Sequence, residues 1–327
     1  MSRPIVTRPA AACTLAAAVL ACPPALAQTY PVKPVRIVVG VPPGGTTDVV
    51  ARLVGQKLAG QLGQQVVIDN RGGAGGNIGA ELVAKSAADG YTLFLATIGT
   101  MTINPHLYRQ MPFDTLRDFA AVSQLTSMPQ VLALHPSIPA RTLRDLIALA
   151  RAQPGNLNFA SGGSGTAIHL AGELFKSMTG TQMVHVPYKG SAPAMTDLLS
   201  GQVSLMFDQI VTAMPHVQSG RLRALGVTTA KRSAIAPDLP TLAESGLPGY
   251  EITTWHGLLA PAGTPREIVA KLSGEAARAL QAADVREKFA GQGVDPVSST
   301  PEQFHAFMQS ELEKWGKVVK ASGARIL

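Results

Sequence analysis

Val41-Pro42-Pro43-Gly44-Gly45-Thr46-Thr47-Asp48 and Ser161-Gly162-Gly163-Ser164-Gly165-Thr166 are two glycine-rich turns in equivalent settings. Each follows an apolar run of strand type, and each opens an amphipathic helix. A helix N-terminus leaves backbone N–H groups without intrahelical partners, and its dipole favours negative charge there. Glycine removes the Cβ, so that a ligand can approach the backbone closely. Two such turns in one chain point to two half-sites around one small anionic molecule.

The segments around these turns set the fold class. Val35–Val41 is a continuous apolar run of buried-strand type, followed by a helix over Asp48–Gly63, a strand over Val66–Asp69, a helix over Asn77–Ala88 and a strand over Tyr91–Thr97. Strands alternating with helices mean βαβ units and a parallel sheet, hence an α/β protein. The rhythm restarts downstream, with helices predicted near 142–153, 166–178, 192–200 and 212–219 and strands at 158–160, 183–186, 203–207 and 222–227. Val122–Leu134, broken at Pro129, and Ile252–Ala260 fit neither unit and read as two crossings between lobes. Two final helices return to the first lobe. Thr264-Pro265-Arg266-Glu267 and Thr300-Pro301-Glu302-Gln303 both carry a Thr cap, Pro at N1 and an acid or amide at N3. The stripe Phe304, Phe307, Met308, Leu312, Trp315 and Val319 reads as core packing. The resulting division is 28–128 for the first lobe, 129–252 for the second and 253–327 for the return.

The chain of 327 residues carries a formal net charge of +7, spread rather than clustered. Nucleic-acid binding needs a focused basic patch, so dispersed charge excludes it and suits small anions. Arg3 and Arg8 precede an apolar stretch, and Ala25-Leu26-Ala27 gives a small-x-small cleavage site. This is the pattern of a secretory signal peptide over residues 1–27, cleaved after Ala27, and it predicts a periplasmic protein. Lipid anchoring at Cys22 is the competing reading, disfavoured by the bulky Leu20 where a small residue is usual. Both cysteines, Cys13 and Cys22, fall in this segment, so the exported chain has no disulfide, thiol nucleophile or thiolate metal site.

Catalytic motifs are incomplete. Gly162-Gly163-Ser164-Gly165-Thr166 lacks the last glycine of a nucleophile elbow, and Gly73-Ala74-Gly75-Gly76-Asn77-Ile78 lacks the third glycine of a dinucleotide fingerprint. The histidines show no HxxxH spacing, and neither a metal nor a cofactor is expected. What remains is a binding site. Gly44, Gly45, Thr46 and Thr47 offer backbone N–H groups and two hydroxyls, and Gly163, Ser164, Gly165 and Thr166 offer the same from the other lobe. Thr97 and Gly99 end the third strand, where ligands collect in open α/β sheets. His169, Lys189 and Asp208 complete the candidate set. Each has a plainer reading: packing or capping for His169, a solvated loop charge for Lys189, and a cap on the helix near Thr212 for Asp208, which otherwise accepts from a ligand amino or hydroxyl group. Asp48 and Arg52 are spaced for an intrahelical ion pair, and Trp255 for lobe packing. Micromolar binding needs about 8 kcal/mol. Five or six hydrogen bonds to an anion at roughly 1.5–3 kcal/mol each reach that without an arginine clamp, even after association entropy.

The chain resembles the Bug-type receptors, the extracytoplasmic solute-binding components of tripartite tricarboxylate transporters. The matching stretches are Tyr30–Pro34, Pro43–Asp48, Asp69–Gly79, Asp89–Leu93, Gly165–Phe175, His185–Ala194, Arg223–Thr228, Pro240–Gly246 and Ala260–Pro265, in order along the exported chain. The resemblance implies a two-lobed, periplasmic-binding-protein-like fold of type II, a Venus flytrap with two crossing segments that closes on a small carboxylate. It implies a monomer that is not an enzyme and serves either the membrane permease subunits of such a transporter or a sensor protein. It further implies that main-chain amides, hydroxyls and ordered waters from Gly44–Thr47 and Ser164–Thr166 hold the carboxylate, with Asp208 similar to the family's cleft aspartate. Gly72 and Ala121 stand where the family commonly has Pro. A secreted α/β hydrolase with a non-standard Ser/His/Asp site is the alternative.

Overall fold

The computed structural model describes residues 30–163, 166–188 and 190–322, together with Met1. Residues 2–29, where the expected signal peptide falls, Ser164, Gly165, Lys189 and residues 323–327 lie outside the described residues.

The described residues form ten strands and ten α-helices, alternating over most of the chain. The strands are β1 Val35–Val39, β2 Val66–Asn70, β3 Thr92–Thr97, β4 Phe119–Leu134, β5 Asn158–Ser161, β6 Val184–Pro187, β7 Leu205–Gln209, β8 Arg223–Val227, β9 Thr253–Pro261 and β10 Asp295–Pro296. The α-helices are α1 Thr46–Leu62, α2 Asn77–Ala84, α3 Asn104–Leu107, α4 Leu143–Ala152, α5 Ala167–Thr179, α6 Ser191–Leu199, α7 Ile210–Gln218, α8 Arg266–Gln281, α9 Ala283–Ala290 and α10 Pro301–Ser322. Among the described residues no helix is long and apolar enough to cross a membrane.

The fold is two-lobed, with β4 and β9 as the crossing segments. In the first lobe β2, β1 and β3 are parallel, and β9 then β4 continue the sheet antiparallel. In the second, β6, β5 and β7 are parallel, and β7 and β8 both pair antiparallel with the far end of β4. β4 therefore belongs to both. It pairs with β9 from Phe119 to Pro129 and with β7 from Gln130 onward. Pro129 was expected to break this strand and does not. A proline lacks the N–H a ladder needs, and here it sits where one partner strand gives way to the next. Thr228 closes the same seam, its backbone donating to Gln130 O at 2.9 Å and its own carbonyl accepting from Ile252 N at 2.9 Å.

Each lobe buries its sheet under helices. Val50, Ala51, Val54 and Leu58 of α1 pack with Leu272 and Ala276 of α8 on one face of the first sheet. The opposite cluster runs without interruption from Phe94 of β3 through Trp255, Phe304 and Trp315 to Phe175 and Phe207 of the second lobe. The α10 stripe supplies its middle, as its 3.6-residue spacing demands. Gly257 allows the approach: a Cβ there would stand 2.1 Å from Phe304 Cζ. Both indoles donate to buried Glu311, at 3.4 Å from Trp255 and 2.9 Å from Trp315.

Capping follows expectation at some ends only. Thr142 and Asp145 form a reciprocal capping box on α4, and Thr300 and Gln303 form one on α10. The Thr264 cap is not made: α8 begins at Arg266 with no side-chain cap, and the Thr264 hydroxyl donates to Pro261 O at 2.7 Å. Three α-helices rather than two complete the return, because Ala282 is extended and separates α8 from α9.

Candidate functional site

Both glycine turns stand at the carboxyl ends of parallel strands, β1 and β5, and both lead into helices. In the first turn, Gly44 adopts φ +99°, a conformation glycine alone takes readily. Gly45 is the N-cap of α1 and no side chain caps the helix, so Thr46 and Thr47 lie in its first turn rather than cap it. The Gly44 N–H, assigned from sequence to a ligand, is already used: it donates to Asp48 Oδ2 at 3.0 Å. Asp48 also accepts from Arg52 Nε at 2.9 Å and Asn70 Nδ2 at 3.0 Å. Burial pushes its carboxyl up, but the bonds from Arg52, Gly44 and Asn70 and the Arg52 charge outweigh it, and the group lies below its ordinary value. Asp48 thus organises the turn from beneath.

Thr47 leads into the crossings. Its Oγ1 lies 2.9 Å from His256 Nε2, and His256 Nδ1 lies 2.8 Å from Thr126 Oγ1. His256 is on β9, directly across from Thr97 of β3, and Thr126 is on β4. His256 is 1% exposed, and burial pushes it down to about 4, so it is neutral at physiological pH. Thr97 Oγ1 is 3.1 Å from Thr100 Oγ1 and accepts from the Thr100 N–H at 3.2 Å. It fixes the π-helical turn Gly99–Ile103, which sequence reasoning had not anticipated.

The second turn is built from below in the same way. Thr166 is the N-cap of α5, accepting from the His169 N–H at 3.3 Å and donating to Gly163 O at 2.8 Å. The Gly163 N–H, assigned from sequence to the ligand, points back to Ser161 Oγ at 3.2 Å. Ser161 Oγ also meets Gly163 O at 3.0 Å and His185 Nε2 at 2.7 Å. His185 stacks on His169 with ring centroids 3.9 Å apart, and both rings lie over Phe159. Burial is the main cause that pushes each imidazole down to about 4; the mutual proximity and Lys176 lower His185 further, against Glu173. Neither histidine is a cation at neutral pH.

Asp208 is 1% exposed, and its Oδ2 accepts from Thr212 Oγ1 at 2.5 Å in the first turn of α7. Burial pushes it up to about 6, against the bonds from Thr212 and the Gln209 backbone. The expected cap on α7 is not made: the N-cap is Gln209 and no side chain caps the helix, so the Asp208 carboxylate is tied to the Thr212 hydroxyl instead.

The structure joins Thr47 and Thr97 around His256, and Thr166, His169 and Gly163 around Ser161 and His185. Among the described residues no hydrogen bond ties the first turn to the second. Sequence reasoning did not single out His256, Thr126 or the Ser161–His185 pair, although Ser161 opens the second turn and His185 opens one of the matching stretches. The Ser161–His185 contact has the look of a nucleophile and base, but Ser161 is fully buried and its hydroxyl is bound within its own turn. Among the described residues no three His, Cys, Asp or Glu side chains converge as a metal site.

Residues 50–324 match the family model described as the tripartite tricarboxylate transporter family receptor. Protein BugT of Bordetella pertussis is 41% identical over 304 residues, covering 93% of either chain. A solved R. palustris protein with adipate superimposes with a TM-score of 0.74 at 41% identity, covering 91% of this chain and 100% of its own. MatC from Rhodopseudomonas palustris, solved with bound malate, gives 0.71 at 36% identity over 89% and 100%.

Proposed function

This chain belongs to the tripartite tricarboxylate transporter receptor family, a family of periplasmic solute-binding proteins, and from that premise we propose that it captures a small carboxylate between its lobes. The carrying observation is the pair of strand-to-helix turns after β1 and β5, each opening a helix N-terminus and each held by buried polar groups beneath. The ligands of the two R. palustris structures, adipate and malate, support the same chemical class. The proposed contacts are Gly45, Thr46 and Thr47 of the first turn, Ser164, Gly165 and Thr166 of the second, and Thr97 and Gly99 at the end of β3. Gly44, Gly163, His169 and Asp208 act on the ligand indirectly, because their polar groups are engaged within the protein. Lys189, which precedes Gly190, whose N–H donates to Gly162 O of the second turn at 3.1 Å, contributes charge.

The lobes divide near 128/129 and 252/253, a boundary supported by the change of partner strand after Pro129. Export by the segment 1–27, with cleavage after Ala27, accounts for the compartment. The receptor hands its ligand to membrane permease subunits or a sensor, acts as a monomer, and has no catalytic role. Mass spectrometry of ligand released from the purified protein tests the reading, with a thermal-shift panel of di- and tricarboxylates, acidic amino acids and aromatic acids. A carboxylate is expected in the released fraction. A neutral sugar or a peptide there, with no shift from any acid, would refute it.

A further inference from the structure

We propose that His256 is a positioning residue that fixes the direction of a hydrogen-bond chain, Thr126 to His256 to Thr47, so that the Thr47 hydroxyl proton is left for a ligand oxygen. The inference rests on the reading above that the first turn receives a carboxylate.

The direction follows from counting protons. Thr126 is fully buried, and His256 Nδ1 at 2.8 Å is the hydrogen-bond partner of its hydroxyl. A buried hydroxyl proton without an acceptor is costly, so Thr126 donates and Nδ1 accepts. A neutral imidazole carries one N–H, which must then reside on Nε2. Nε2 faces Thr47 Oγ1 at 2.9 Å, so it donates there. Thr47 Oγ1 spends a lone pair on His256 and keeps its own proton. Thr47 is half-buried in the first turn of α1, and among the described residues the partner of its hydroxyl is His256 Nε2.

The opposite tautomer has different consequences. Nδ1–H would donate to Thr126 and strand the Thr126 proton in the core. Thr47 would then donate inward to Nε2 and present only lone pairs, which repel a carboxylate. A buried threonine on β4 therefore selects whether the turn on α1 welcomes an anion. Burial that holds His256 neutral keeps this choice intact at physiological pH. Because the histidine is on β9 and its donor on β4, the ligand-facing proton is set by the two strands that join the lobes.

Two-bond ¹H–¹⁵N correlation spectra of ligand-free protein labelled at histidine decide the tautomer. One imidazole of Nε2–H form is expected at pH 7, assigned by its loss in His256→Gln, and it should become mixed or invert in Thr126→Val. An Nδ1–H form for His256 overturns the proposal, whatever the variants do. Titration calorimetry with adipate adds the binding arm. His256→Leu should weaken adipate about tenfold or more, and His256→Gln distinctly less, because a glutamine can accept from Thr126 and donate to Thr47. Equal losses in the two variants, measured on folded protein, would also count against the chain. If the wild type does not bind adipate, the carboxylate reading suffers, while the spectra still decide the tautomer.

Discussion

Replacing His256 with Gln should make the folded protein more resistant to acid. His256, His169 and His185 are each held at about 4, against an ordinary value near 6.5. A depressed folded value means that the unfolded chain binds more protons, so stability present above pH 6.5 is lost as pH falls toward 4. For His256 alone the full loss is ~3 kcal/mol below pH 4, and the slope near pH 5 is ~1.2 kcal/mol per pH unit. Asp208 runs the other way. Its carboxyl is raised to about 6, so the native state takes its proton first and gains stability between pH 6 and 4. The balance of three histidines against one carboxyl is about two protons at pH 5, or ~2.5 kcal/mol per pH unit. Urea unfolding between pH 7 and 4.5, followed by the fluorescence of buried Trp255 and Trp315, measures the slope. The variant should show roughly half the wild-type slope, since it removes one proton of about two. A flat wild-type profile from pH 6.5 to 5, or a slope untouched by the substitution, would refute the assignment of a neutral, desolvated imidazole.

Three further outcomes follow from packing and capping. Gly257→Ala places a Cβ 2.1 Å from Phe304 Cζ and should cost ~1–3 kcal/mol through overpacking, seen as a lower melting temperature. Thr166→Val removes the N-cap of α5 and should cost ~1 kcal/mol in urea unfolding, with Thr166→Ser nearly restoring it. The same change should weaken carboxylate binding by more than the stability loss explains. Glu311→Ala strands the indole N–H groups of Trp255 and Trp315 and should cost ~2–4 kcal/mol, whereas Glu311→Gln, which keeps an acceptor, should cost less.

The alternation of strands and helices, the two turns and the two crossings were all legible in the sequence, because apolar periodicity and glycine placement are local signals. The detailed site was less so. The Gly44 and Gly163 N–H groups were assigned to a ligand because a turn read in isolation shows only unpaired donors. Asp48 reaches back four residues to take the first, and Ser161 takes the second. The Thr47–His256 contact spans 209 residues of sequence and His256–Thr126 spans 130. No local pattern announces such pairs, since they follow from the register of β9 against β3 and β4. Pro129 was misjudged for the same reason: its tolerance depends on a change of partner strand, which only the sheet reveals. Thr264 matched a capping signature, yet the carbonyl of Pro261 competes successfully for its hydroxyl.

The apolar cluster that runs from Phe94 through Trp255, Phe304 and Trp315 to Phe175 and Phe207 bears on how the molecule can be taken apart. The chain enters and leaves the second lobe at neighbouring points, which suggests a removable insert. Cutting there would bare one side of a shared core in both pieces. Deleting α10 would do the same to both lobes at once. Neither half should therefore survive as a separate fragment, and unfolding should proceed in one cooperative transition rather than lobe by lobe.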